Sequence, residues 1–164
     1  MSEEIVTIID LTDSVIDARP RREVKKQGYT YRVTYILVFN SAGEVLVQKR
    51  TDIKDWCPGR FDLAAGGIIQ FDESYEVSAY RELKEELGIE PPLNSHFDLF
   101  YDDLVAPVKN RNWGRVFSCV HEGPFDLQEE EVASAEFMTV SEALSLDLDL
   151  VTPDTRQVLI AYHL

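Results

Sequence analysis

The chain has 164 residues, enough for one domain with a substantial core and too few for two of ordinary size. Its hydrophobic content of 45% excludes wholesale disorder, and 30 acidic against 16 basic residues give a formal charge of −14, a field that repels a nucleic-acid backbone. The longest apolar runs, residues 35–39 and 158–162, are about five residues against the roughly 20 of a membrane span, and the start Met1-Ser2-Glu3-Glu4 has neither a basic nor an apolar stretch, so the sequence predicts a cytoplasmic protein with no nucleic-acid or membrane partner.

In chain order, apolar residues 5–9 and 15–18 flank the polar stretch from Asp10 to Ser14 and predict an N-terminal hairpin. The charged run from Arg21 to Lys26, ending at Gly28, reads as a solvated face. Residues 31–39 and 44–48 enclose Asn40 to Gly43 and predict a second hairpin. Residues 51–60, with Trp56, Pro58 and Gly59, read as a loop before a short strand at 61–64. Residues 74–87 carry the clearest helical pattern, with Tyr80, Leu83 and Leu87 on one apolar stripe, Val77 at its margin, and Gly88 as a left-handed cap. Strands are predicted at 97–101, 115–121 and 135–139. A short helix follows from Ser141, and a last one has Thr152 as N-cap and Pro153 in first position. This mixture predicts an α+β fold with helices on a mixed or antiparallel sheet. Cys57 and Cys119 read as ordinary thiols, and His96, His121 and His163 show no metal-ligand spacing.

The helix at 74–87 projects Glu82, Glu85 and Glu86 at about 0°, −60° and +40°, so three carboxylates share one face. Like charges one turn apart work against a helix unless solvent or a cation screens them. A hard divalent cation reverses that sign, since Mg²⁺ binds through a few carboxylates and keeps sites for water and phosphate. A solvated glutamate-rich face is the alternative.

Gly67, Glu73, Arg81, Glu82, Leu83, Glu85, Glu86, Gly88 and Ile89 satisfy G-x5-E-x7-R-E-U-x-E-E-x-G-U, with U apolar, at every fixed position. Residues 67–89 thus resemble the signature box of the Nudix hydrolase superfamily, more loosely over roughly 30–140, while the first thirty residues form a hairpin extension outside the likeness. The resemblance implies one Nudix-like αβα sandwich with a mixed sheet over residues 1–164. It implies Mg²⁺ or Mn²⁺ held chiefly by Glu82 and Glu86, with Glu85 joining and the Gly67 carbonyl nearby, and hydrolysis of a diphosphate joined to another group by water attack at phosphorus. It also implies that Arg81 orients the glutamates rather than merely pairing with Glu85, and that Glu73 braces the loop against the helix. The general base is open between the helix glutamates and the later run Glu129 to Glu131.

Pro58-Gly59 and Gly66-Gly67 are separated by residues 60–65, a spacing similar to the Nudix branch containing isopentenyl diphosphate isomerase. That isomerase's Cys and His beside the box are Gly66 and Ile68 here, and Asn110 and Asn112 stand where it carries glutamates, so an isomerase or a non-catalytic diphosphate-binding module are the alternatives to hydrolysis. For a small-molecule diphosphate substrate, Lys49, Arg50 and Arg60 are the candidate cations and Trp56 and Trp113 the candidate stacking or packing rings. A twofold homodimer is the prior expectation, demonstrated by no residue.

Overall fold

The computed structural model describes residues 3–103 and 109–164, so Met1 and Ser2 at the N-terminus lie outside the described residues. Strands β1 (Ile5–Ile9) and β2 (Val15–Pro20) pair antiparallel from Ile5 opposite Pro20 to Ile8 opposite Asp17. Their turn is closed by the Asp10 carboxylate, which accepts the amides of Thr12 at 2.8 Å and Ser14 at 3.0 Å. β2 runs directly into helix α1 (Arg21–Gln27), which ends at Gly28 with φ 74°. A merely solvated charge run is therefore wrong here. Val24 is fully buried and the Lys25 side chain only 13% exposed, because coiling the segment turns one side of it onto the sheet.

Strand β3 (Tyr31–Phe39) is the centre of the sheet, and strand β4 (Val45–Arg50) follows it. The predicted hairpin between them holds only next to its turn, where Phe39 faces Val45. Beyond that pair β3 takes other neighbours. Strand β5 (Phe61–Asp62) pairs with β4, helix α2 (Tyr75–Leu87) covers the sheet, and strands β6 (Asn94–Asp103), β7 (Asn110–Val120) and β8 (Val132–Met138) complete it. β7 lies parallel to β3 from Tyr31 opposite Asn112 to Phe39 opposite Val120, and β6 pairs antiparallel outside it. The other edge of β3 bonds the loop before α2, with Ile36 facing Ala65 and Val33 facing Ile68, while β4 turns to β8. The sheet is therefore mixed. Helix α3 (Val140–Leu144), a 3₁₀ turn (Leu148–Leu150) and helix α4 (Pro153–His163) follow.

Both faces of β3 are buried, which explains its near-continuous apolar run. Tyr31, Val33, Tyr35 and Leu37 pack with Val24, Val158 and Leu159, while Ile36 and Val38 pack with Ala79, Leu83 and Leu87 of α2. Helices on both faces make the α+β sandwich the sequence predicts. The buried stripe of α2 is Tyr75, Ala79, Leu83 and Leu87, not one including Val77 and Tyr80, which are 57% and 41% exposed. In helical projection Glu82 and Glu86 fall on either side of Tyr75 and within about 60° of Ala79, so the inward arc is part carboxylate and the apolar pattern is displaced around the helix. Thr152 precedes α4 as expected, but its hydroxyl bonds Asp62 Oδ1 at 2.7 Å instead of capping a backbone amide.

Candidate functional site

Residues of β3, β4, the loop before α2 and α2 itself wall a cavity of about 250 Å³. Its floor is set by the edge of β3, which pins the loop: Thr34 donates its amide to the Gly67 carbonyl at 3.0 Å, and Ile36 and Ala65 exchange amide bonds at 2.8 and 2.9 Å. That pairing brings the loop's glycines against the helix glutamates, Gly67 beside Glu82 and Gly66 beside Glu86. A Cβ on Gly67 would lie 2.5 Å from Glu82 Oε1, so the absent side chain makes room for that carboxylate. Gly66 has φ 135°, and a Cβ there would strike the Thr34 carbonyl oxygen at 1.9 Å.

Arg81 lies outside the inward arc and reaches back over it. Its Nε donates to Glu73 Oε2 at 2.6 Å and its Nη2 to Glu73 Oε1 at 2.9 Å, a two-pronged pair that joins loop to helix. Glu73 Oε1 also accepts the Gln70 amide at 2.8 Å. Arg81 Nη1 sits 3.0 Å from Glu82 Oε1 and 3.2 Å from Glu85 Oε2. Arg81 thus pairs with Glu85, the simpler of the two sequence alternatives, and in addition contacts Glu82 of the inner pair.

The three glutamates are not equivalent. Glu85 is 48% exposed at the rim, whereas Glu82 is 12% exposed. Burial pushes the Glu82 carboxyl up to about 7, against the opposing pull of Arg81 and with help from the Glu85 charge. Glu86 lies deepest and is pushed well above the ordinary carboxylate range, by burial first and then by Glu82 and Asp62. Its Oε2 has only long contacts, from Gly66 N at 3.4 Å and Gln48 Nε2 at 3.5 Å. Among the described residues no three acidic, His or Cys side chains are already drawn together around one point. The donor set nevertheless suits a hard cation: two inward carboxylates one turn apart, neither fully compensated, beside a cavity open to water and phosphate oxygens.

The opposite wall was only partly legible in the sequence. Tyr31 and Tyr35 of β3 and Asn110 and Asn112 of β7 line it, alternate positions on each strand placing each pair on one face. Tyr31 donates to Asn110 Oδ1 at 2.6 Å, Asn112 Nδ2 donates to the same oxygen at 2.8 Å, and the Tyr35 hydroxyl is 3.1 Å from both Asn112 Oδ1 and Asp154 Oδ2. Asp154, in the first turn of α4, is 7% exposed and pushed up to about 6, by burial and then by the Asp62 charge. Tyrosines inside an apolar run were the available signal for this network. Asp154 gave none, because only folding brings α4 under the sheet.

Of the candidate substrate-binding residues, Arg50 and Trp56 meet. The guanidinium donates to Asp62 Oδ2 at 3.0 Å and to the Trp56 carbonyl at 3.1 Å and lies 5.7 Å from that indole's centre. Trp56 is buried at the cavity edge, 6.3 Å from the Tyr101 ring, and Lys49 stands exposed at the mouth. Arg60 does not belong with them. It sits in the turn where its amide donates to the Cys57 carbonyl, just before β5, and lines no part of the cavity. Trp113 is likewise outside, tilted against the Phe100 ring with its Nε1 donating to the Leu11 carbonyl. Of the later acidic run, Glu131 lines the cavity paired with Lys54, while Glu129 and Glu130 face solvent. His96 is spent on Ser118 and the Tyr162 ring.

A family profile described as the NUDIX domain matches residues 29–161. The uncharacterized Nudix hydrolase YfcD of Escherichia coli (strain K12) is 41% identical over 159 residues, covering 96% of this chain and 86% of YfcD. The uncharacterized Nudix hydrolase PA4841 of Pseudomonas aeruginosa is 43% identical over 164 residues, covering 97% and 93%. Among solved structures, DR0079 from Deinococcus radiodurans superposes with a TM-score of 0.82 at 18% identity, covering 96% of this chain and 98% of that one, a likeness of fold.

Proposed function

The chain belongs to the Nudix hydrolase family, and from that premise we propose that it is a Mg²⁺- or Mn²⁺-dependent hydrolase that cleaves a diphosphate linkage in a nucleoside diphosphate joined to another group, or in a similar organic pyrophosphate, by water attack at phosphorus. The observation that carries this reading is the inward pair Glu82 and Glu86, two carboxylates in a cavity where burial works against their charge and is offset only in part, by Arg81 at Glu82 and by the long contact from the Gly66 amide at Glu86. A structural face would not retain such a pair, whereas a divalent cation removes its penalty. When bound, the metal neutralises the non-bridging oxygens of the diphosphate and lowers the pKa of the attacking water.

The chain's own residues then have separable tasks. Glu82 and Glu86 hold the metal, Gly67 leaves the space Glu82 occupies, and Arg81 fixes Glu82 while Glu73 fixes Arg81. Glu85, at the rim, adds charge from the outer position. Arg50, Lys49 and Trp56 are placed to meet the substrate from β4 and the loop beyond it. The attacking water's proton passes to Glu82 or Glu86 at the floor, or to Glu131 on the facing rim, a choice that Glu131→Gln decides by its effect on kcat.

Hydrolysis is favoured over isomerisation because Gly66 and Ile68 offer no acid to protonate an alkene, and the wall opposite the glutamates is carried by Asn110 and Asn112. A panel of nucleoside triphosphates, nucleotide sugars, dinucleoside polyphosphates and prenyl diphosphates tests the proposal. We expect metal-dependent turnover that Glu86→Gln abolishes with the fold intact. Turnover that persists in EDTA and in that variant refutes the site.

A further inference from the structure

One corner of the cavity is built by residues that precede the family match, which begins at residue 29. Arg21 and Lys25, one turn apart on α1, line it together with Lys54 from the loop after β4. Arg21 pairs with Glu4 at 3.0 Å, Lys25 with Asp55 at 3.2 Å, and Lys54 with Glu131. In two of these pairs the cation is the buried member. The Lys25 side chain is 13% exposed against 61% for Asp55, and Lys54 is 14% exposed against 33% for Glu131. The carboxylates can turn into water while the ammonium groups stay in the wall.

The three cations also crowd one another. Burial foremost, then the charges of Arg21 and Lys54, hold the Lys25 ammonium below the usual lysine range, against the pull of Asp55. The corner adjoins the glutamates, since the charges of Glu4 and Glu131 reach Glu82 and Glu86 respectively. The cavity wall gathers six of the 16 basic residues and seven of the 30 acidic ones, a nearly even balance in a chain where acidic residues outnumber basic ones almost two to one. Gathering buried like charges is unfavourable unless anions join them, and for Lys25 and Lys54 the carboxylates that do so are the more exposed partners, which a phosphate can replace.

We propose that Arg21, Lys25 and Lys54 form an anion subsite that takes a phosphoryl group of the substrate other than those at the glutamates, so that the preferred pyrophosphates carry a further phosphate. Only the assignment of that phosphoryl group to a substrate rests on the hydrolytic reading above. The anion site itself does not need it, and the test separates the two.

Inorganic phosphate and pyrophosphate are titrated calorimetrically into the full-length chain in metal-free, low-salt buffer at pH 7. Wild type binds both, and Lys25→Met combined with Lys54→Met weakens binding at least about tenfold, the loss expected from removing charge-assisted hydrogen bonds. Glu82→Gln with Glu86→Gln binds equally or more tightly, because negative charge beside the site is removed. Asp55→Asn, which frees Lys25 without deleting a cation, tightens binding and keeps the question open to refutation if the double lysine variant does not fold.

Absence of phosphate binding by wild type, unchanged affinity in the lysine variant, or no tightening in Asp55→Asn overturns the proposal. So does a lysine variant that lowers Tm without changing anion affinity, which would make the pairs tethers of α1. In turnover assays the preference for a pyrophosphate bearing an extra phosphoryl group over the same compound without it collapses in the lysine variant, and a retained preference overturns the substrate assignment. If the hydrolytic reading alone is wrong, turnover is absent while the metal-free binding pattern stands.

Discussion

Replacing Glu82 by Gln should make the metal-free protein more stable, and should do so only at neutral to alkaline pH. Burial holds the Glu82 carboxyl at about 7 in the folded state against 4.5 for the free side chain, a difference that already includes the attraction of Arg81. Below pH 4.5 the group is protonated in both states and contributes nothing. Between 4.5 and 7 the unfolded chain ionises while the folded one keeps its proton, so wild-type stability declines as pH rises. Above 7 the full penalty is present, about 3 kcal/mol at roughly 1.4 kcal/mol per pH unit. A neutral amide of the same shape removes it. Urea titration and thermal melting in chelated buffer at pH 8 should then show the variant about 3 kcal/mol more stable, with Tm higher by about 6–12 °C for a chain of this size. The difference should fade at pH 5. Millimolar Mg²⁺ should reverse the order, because only wild type gains stability from the cation. A variant less stable than wild type at pH 8 without metal, or a gain that does not vary with pH, would refute the claim that a buried, incompletely compensated carboxylate defines this site.

Gly67→Ala should displace the Glu82 carboxylate, whose oxygen lies 2.5 Å from the added carbon, and lower metal affinity about tenfold or more with little change in Tm, as read by Mg²⁺ calorimetry beside a melt. Gly66→Ala, aimed at the Thr34 backbone from φ 135°, should instead lose folded protein, visible as loss of the cooperative melt. Arg81→Lys cannot reproduce the two-pronged contact with Glu73 while holding Glu82, so kcat should fall about 10–100-fold, more than KM changes. Tyr35→Phe removes a hydroxyl that supports the Asp154 carboxylate and raises that group further above about 6. The variant should be less stable by about 1–3 kcal/mol at pH 8, where Asp154 is ionised, and by less at pH 5, where it is neutral, as measured by urea titration.

Residues whose meaning depends on near neighbours were legible from the chain alone. Ser74 and Gly88 bracket α2 because capping is decided within one turn, and the spacing of Gly67, Glu73, Arg81, Glu82 and Glu86 is fixed by one loop and one helix, so the acidic cluster stands out in the linear sequence. The same local logic went astray wherever the partner is distant. The strands flanking Asn40 to Gly43 look like a complete hairpin, yet the edge of β3 that β4 would pair with is taken beyond Phe39 by the loop at Ala65 to Ile68, while β7, about 80 residues away, holds the opposite edge. Val77 and Tyr80 look like core because an apolar count cannot know that the inward arc of α2 is given to carboxylates. Arg60 and Arg50 are equally basic, and only the register of β4 against β5 leaves one in the wall and the other in a turn. The placement of Lys25, Asp154 and Asn112 around one cavity belongs wholly to the tertiary structure, because packing joins three segments that carry no common pattern and converts their isolated polarity into shared burial, where charge and hydrogen bonding count most.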